Sequence, residues 1–176
     1  MFFKKKNKIV VQIYQNIIKI SRSKFFYTSL NLDDTFETRF DLIIFHAFLV
    51  FYFYKFNEIK NSDIPQDLFD LMFNDFENNL REMGFGDIAV NKKMKVFIKA
   101  FYGRIQHYNN GVSLYQDKKD VTLLKQAISN NVFKGKIEDN TILNKFVNYM
   151  IENTVYLNKN SESANIKNNF NFVKFY

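Results

Sequence analysis

DDTFETRFDLIIFHAFLVFYFYK, residues 33–55, is the stretch on which the fold turns. Phe36, Phe40, Ile43, Ala47, Phe51 and Tyr54 recur at three- and four-residue steps, the spacing of one helical stripe. Leu42, Phe45, Leu49 and Phe53 coat the remaining sides. A helix that is apolar nearly all round must be enclosed by other elements, so this segment is expected at the centre of a bundle. Its longest apolar run, residues 42–54, is 13 residues long and contains His46. A membrane span needs about 20 such residues, which excludes a transmembrane reading. Asp33 or Asp34 is the expected N-cap.

The flanking segments supply the neighbours. Residues 8–22 place Ile9, Ile13, Ile17 and Ile20 on one face, giving a first helix. Ser62 and Asp63 before Pro65 signal the start of a third, with Phe69, Met72, Phe73, Phe76, Leu80 and Met83 as its inward stripe and Gly84 as its left-handed stop. Beyond Gly86 and Asp87, the series Val90, Met94, Phe97, Phe101, Ile105 and Tyr108 predicts a fourth, ending near residues 109–111. Residues 120–130 make a shorter fifth with Val121, Leu124 and Ile128 inward. Residues 139–158 make a sixth with Ile142, Phe146, Tyr149 and Asn153. No repeat and no alternating strand pattern interrupts them. The expected architecture is all-α, a single-domain bundle of about six helices. It divides into a basic N-terminal segment (1–24), a helical domain (25–158) and a polar, Asn-rich tail (159–176). The tail ends in Phe170, Phe172, Phe175 and Tyr176, and is either disordered or an arm that docks elsewhere.

With 176 residues, the chain is long enough to bury one substantial core. It has no Cys, which excludes a disulfide scaffold, a thiolate zinc site and a Cys nucleophile. His46 and His107 are the only histidines, too few for most histidine-rich metal sites, and no cofactor is expected. The heavy use of Phe, Tyr, Ile, Lys and Asn beside scarce Arg reads as AT-rich coding bias, so the aromatic count overstates how unusual the surface is.

The net charge of +7 is matched by the first 24 residues alone, which hold Lys4, Lys5, Lys6, Lys8, Lys19, Arg22 and Lys24 and no acid. The opening lacks a signal-peptide core and a cleavage site, and it is a poor transit peptide, so an intracellular location is expected. Solvated lysines explain the cations most simply. Attraction to anionic lipid or to ribosomal RNA is the functional alternative.

No nucleophile elbow, phosphate-binding glycine loop or zinc-protease pattern is present. Acid pairs such as Asp67 with Asp70 fit solvated helix faces, and His46 lies within the most apolar helix, so nothing points to catalysis. The charge pattern is more telling. Residues 63–87 carry seven acids and one base, Arg81, whereas residues 88–104 carry five bases and no acid. Adjacent antiparallel helices of opposite charge result. They either pair with each other or hold one face free for a partner.

The ordered set of strings is specific where each piece is weak. Leu68-Phe69-Asp70-x-Met72-Phe73, then Leu80-Arg81-Glu82-Met83-Gly84-Phe85-Gly86-Asp87, then Lys92-Lys93-Met94-Lys95, then Phe101-Tyr102-Gly103-Arg104 with Tyr108, resembles the ubiquinol–cytochrome c chaperone family. Asp34-Thr35-Phe36 with Arg39-Phe40 and His46-Ala47 lies upstream, and Leu123 to Asn131 with Val132-Phe133 lies downstream, as in that family. The resemblance covers roughly residues 25–135. It implies a non-enzymatic assembly factor for ubiquinol–cytochrome c reductase that acts on newly made cytochrome b, with a small partner protein or the ribosome as further partners. Without a mitochondrial leader the chain looks like a bacterial member, placed at the inner face of the inner membrane by peripheral association with anionic lipid.

The candidate partner-binding residues are Arg39, His46, Arg81, Glu82, Gly84, Phe85, Gly86, Asp87, Lys92, Lys95, Lys99, Tyr102 and Arg104. Gly84 and Gly86 on either side of Phe85 are expected to provide backbone conformations that side chains resist. The competing reading is a ribosome- or RNA-associated basic helical module. Scarce Arg and the lack of a stacking motif argue against sequence-specific nucleic-acid readout.

Overall fold

The computed structural model describes residues 8–57, 62–137, 139–161 and 170–175, and among these it contains helices and no strand. The helices are α1 (Lys8–Ser21), α2 (Lys24–Thr28), α3 (Phe36–Phe56), α4 (Ile64–Glu82), α5 (Asp87–Lys118), α6 (Thr122–Val132) and α7 (Asn140–Lys159). The architecture is the all-α bundle expected. The sequence signal missed α2, a single-turn helix of five residues that is too short for periodicity to register.

Helix α3 is the axis of the bundle. Residues 40–50 are buried without a break, and α3 packs against α1, α4, α5, α6 and α7. Its cap is not an aspartate. The Thr35 hydroxyl accepts the Thr38 backbone N–H at 3.1 Å, and Asp34 turns instead to Arg39. At α6 and α7, Asp120 and Asp139 accept N–H groups of the first turn at 2.8 and 2.7 Å, so those helices start where the sequence signals place them.

Two boundaries depart from expectation for packing reasons. Helix α5 does not stop at Gly111; it continues to Lys118 and ends on Lys119, which adopts a left-handed φ of 57°. Gly111 is a contact glycine instead: a Cβ there would lie 2.8 Å from the Leu124 side chain, so its absence lets α6 fold back against α5. Met83, read as inward, is 58 % exposed because α4 has already ended beneath it.

The chain's end joins the core. Phe170 is fully buried, with its ring 5.0 Å from that of Phe53. Phe175 packs on Phe146 and Tyr149, both at 4.8 Å, and the Val173 N–H donates to the Asn153 side-chain oxygen at 3.0 Å. Residues 170–175 are thus a docked arm. Residues 162–169 of the tail, and Lys4, Lys5 and Lys6 of the cationic start, lie outside the described residues.

Candidate functional site

The turn between α4 and α5 is built by a helix stop and a short-range ion pair. The Gly84 N–H bonds the Arg81 carbonyl at 2.9 Å and the Phe85 N–H bonds the Leu80 carbonyl at 3.2 Å, the paired bonds of a Schellman stop. That geometry requires the left-handed φ of 88° at Gly84. Gly86 does not share the requirement. Its φ is −71°, and a Cβ there would meet nothing within 4 Å, so the expectation of two constrained glycines holds at one only.

Phe85 is half-buried and packs against the core, with the Lys93 ammonium 4.7 Å from its ring centroid. It is an anchor under a cation, with its ring turned partly inward. Arg81 forks between two carboxylates, reaching Glu77 at 2.7 Å on its own helix and Asp87 across the turn. Asp87 also sits in the first turn of α5, where negative charge complements the helix dipole. Glu82 and Met83 are exposed beside this pair. Lys92, Lys95, Lys99 and Tyr102 follow along the outward face of α5. The fold therefore brings together most of the residues singled out in the sequence as one continuous surface.

Three candidates lie elsewhere. Arg39 holds Asp34 through two bonds of 2.7 and 2.8 Å, which keeps that carboxyl below the usual carboxylate range. The pair borders a surface hollow with Arg22, Lys24 and Tyr27, on a different corner from the turn. His46 is fully buried, which corrects its assignment as a partner-binding residue. Its Nδ1–H points at the Leu42 carbonyl (2.7 Å) and the Ser21 hydroxyl (3.0 Å), while Nε2 has no partner among the rings of Phe26, Phe45, Tyr149 and Phe172. Burial pushes its pKa down to about 4, so it is neutral at ordinary pH.

Arg104 is likewise internal: its guanidinium is 2.7 Å from Asp41, caps the Phe40 ring at 5.5 Å, and is mostly covered. Asp41 also takes Lys134 from the loop after α6. This two-cations-on-one-acid cluster was missed in the sequence. The available signal was a lone carboxylate set inside the apolar run of α3. Among the described residues no group of His, Asp and Glu is arranged to hold a metal, and no helix is long and apolar enough to cross a membrane.

Residues 28–172 match the family model described as ubiquinol-cytochrome C chaperone. The chain belongs to the ubiquinol–cytochrome c chaperone family. The matched span reaches past the strings that carried the resemblance and takes in the docked arm to Phe172. The fold agrees: the crystal structure of the Cbp3 homolog from Brucella abortus superposes with a TM-score of 0.78 at 25 % identity, over 97 % of this chain and 91 % of that one. No curated protein matches.

Proposed function

We propose that this family member binds newly made or unassembled cytochrome b at the bacterial inner membrane and holds it for assembly into ubiquinol–cytochrome c reductase, without catalysing a reaction. The α4–α5 turn is the recognition surface in this reading. The observation that carries it is the Arg81–Asp87 pair beside Glu82 and the lysine-capped Phe85, a fixed array of charge on a tight stop. An unassembled membrane protein offers polar loops next to apolar helix ends, and a rigid array of this kind can bind the first while Met83 and Phe85 meet the second.

The test is the exchange Arg81→Glu with Asp87→Lys. It retains an opposite-charge pair across the turn while inverting the pattern a partner meets. The exchange also loses the Arg81–Glu77 contact and sets a cation at the start of α5. Exposed charge effects of this kind are worth only about 0–1 kcal/mol each, so the protein should stay folded with a melting temperature lowered by a few degrees at most. Capture of cytochrome b from the cells that make this protein, scored on the same preparation, should be lost. A stable double variant with full capture rules out these charges as the recognition element.

A further inference from the structure

Opposite the buried line Val90, Phe97, Phe101 and Tyr108, α5 turns Ile88, Lys92, Lys95, Val96, Lys99 and Tyr102 to solvent. Ile88 is 88 % exposed, Val96 60 % and Tyr102 59 %. Ile88, Lys92, Lys95, Lys99 and Tyr102 recur at three- and four-residue steps with Val96 beside them, so they form one stripe about 21 Å long at about 1.5 Å per residue. No Asp or Glu occurs between Asp87 and Asp117, so the stripe has no acid of its own. The nearest acid before it along the chain is Asp87, which is already held by Arg81.

Scattered exposed aliphatics are ordinary on a protein surface. Here they share a stripe with three cations that have no ion-pair partner among the described residues. Tyr102 adds an aromatic ring resting on Phe69 and Phe101 at 5.9 and 5.3 Å, with its outer part open. Lysines that reach phosphates, aliphatics that enter the boundary below them and a tyrosine at headgroup level are the composition of a helix lying in a bilayer interface. An RNA backbone would use the lysines and leave Ile88 and Val96 without a role.

We propose that the outward face of α5 rests on an anionic bilayer. Lys92, Lys95 and Lys99 meet lipid phosphates, and Ile88 and Val96 enter the acyl boundary. The proposal builds on the reading that the client is a membrane protein, since it sets the α4–α5 turn at the surface where such a client lies.

The chain has no Trp, so a single Val96→Trp substitution in the full-length protein gives one emitter on this face. Val155→Trp, on the exposed side of α7, is the control. The probes are vesicles of phosphatidylcholine with and without phosphatidylglycerol. With anionic vesicles only, emission at position 96 should shift to the blue and be quenched by brominated lipid, while position 155 stays unchanged. Reversing Lys92, Lys95 and Lys99 to Glu should weaken vesicle binding about tenfold or more at an unchanged melting temperature. Deleting residues 1–7, which removes Lys4, Lys5 and Lys6 from the cationic start, should leave the shift at position 96 in place.

No shift, an equal shift at both positions, or a shift with RNA in place of vesicles overturns the proposal. So does a reversal variant that binds vesicles like the parent. No client is present in this assay, so its failure is distinct from failure of cytochrome b capture.

Discussion

Asp41 and Arg104 face each other at 2.7 Å across the α3–α5 interface, with the carboxylate 1 % exposed and the guanidinium 19 %. The charge of α3 is thus compensated from another helix, and Lys134 closes it from the loop after α6. One acid ties three parts of the chain together.

Removing that acid should cost far more than removing the more exposed of its two cations, Lys134. Asp41→Asn leaves Arg104 largely covered with no countercharge, and losing one partner of a buried pair costs about 3–5 kcal/mol. Lys134→Ala should cost about 0–1 kcal/mol, because its side chain is 42 % exposed and water can replace the contact. Urea denaturation of both variants tests the order. Equal losses would show that Asp41 is not the hub.

Two glycines of α5 should respond with opposite sign to the same change. A Cβ at Gly103 meets nothing within 4 Å, so Gly103→Ala should gain about 0.5–1 kcal/mol from helix propensity. A Cβ at Gly111 would lie 2.8 Å from the Leu124 side chain and 3.0 Å from its backbone nitrogen. Overpacking of that kind costs about 1–3 kcal/mol and outweighs the same propensity gain. Thermal melts of the two variants should therefore move in opposite directions. A rise in both would mean that α6 can shift away at no cost.

The bundle was legible because helical periodicity is a local signal and α3 announces its own burial through apolar residues on every side. What escaped was long-range. Gly111 reads as a helix stop in sequence, and only the return of α6 makes it a contact residue. Asp41 and Lys134 are 93 positions apart, so nothing local pairs them. His46 was offered as a partner residue because it falls in a string that resembles the family, yet it is fully buried and Ser21 and the Leu42 carbonyl hold its Nδ1 within the core. The turn was found because glycine, charge and an aromatic cluster in one short string.

The buried imidazole should make stability fall on the acid side. In the unfolded chain His46 titrates near 6.5, and in the fold near 4, so the unfolded state binds the extra proton between those values. Its stabilising contribution is complete above pH 6.5 and is lost as pH falls toward 4, by about 3 kcal/mol in all. His46→Leu removes the group while Ser21 keeps its bond to the Leu42 carbonyl. The variant's stability should be flatter between pH 6.5 and 4 than the parent's, as read from urea midpoints across that range. Parallel curves would place the acid sensitivity in the carboxylates alone.

The docked arm should be as costly to lose as a core helix contact. Phe170 is fully buried between Phe53 and Tyr54, although it sits at the far end of a polar segment and takes a left-handed φ of 50°. A non-glycine residue persists there only when surrounding contacts outweigh the backbone strain. Phe170→Ala should destabilise by about 3–5 kcal/mol, the range for emptying a buried phenylalanine site. Asn153→Leu isolates the other attachment: its amide donates to the Tyr149 carbonyl at 2.8 Å and its oxygen accepts the Val173 N–H, so the leucine leaves that N–H without its acceptor. If the arm docks through both, the two variants should each expose the C-terminal segment to protease at concentrations where the parent is resistant. A Phe170→Ala protein with the parent's stability and resistance would show that the arm lies on the core without supporting it.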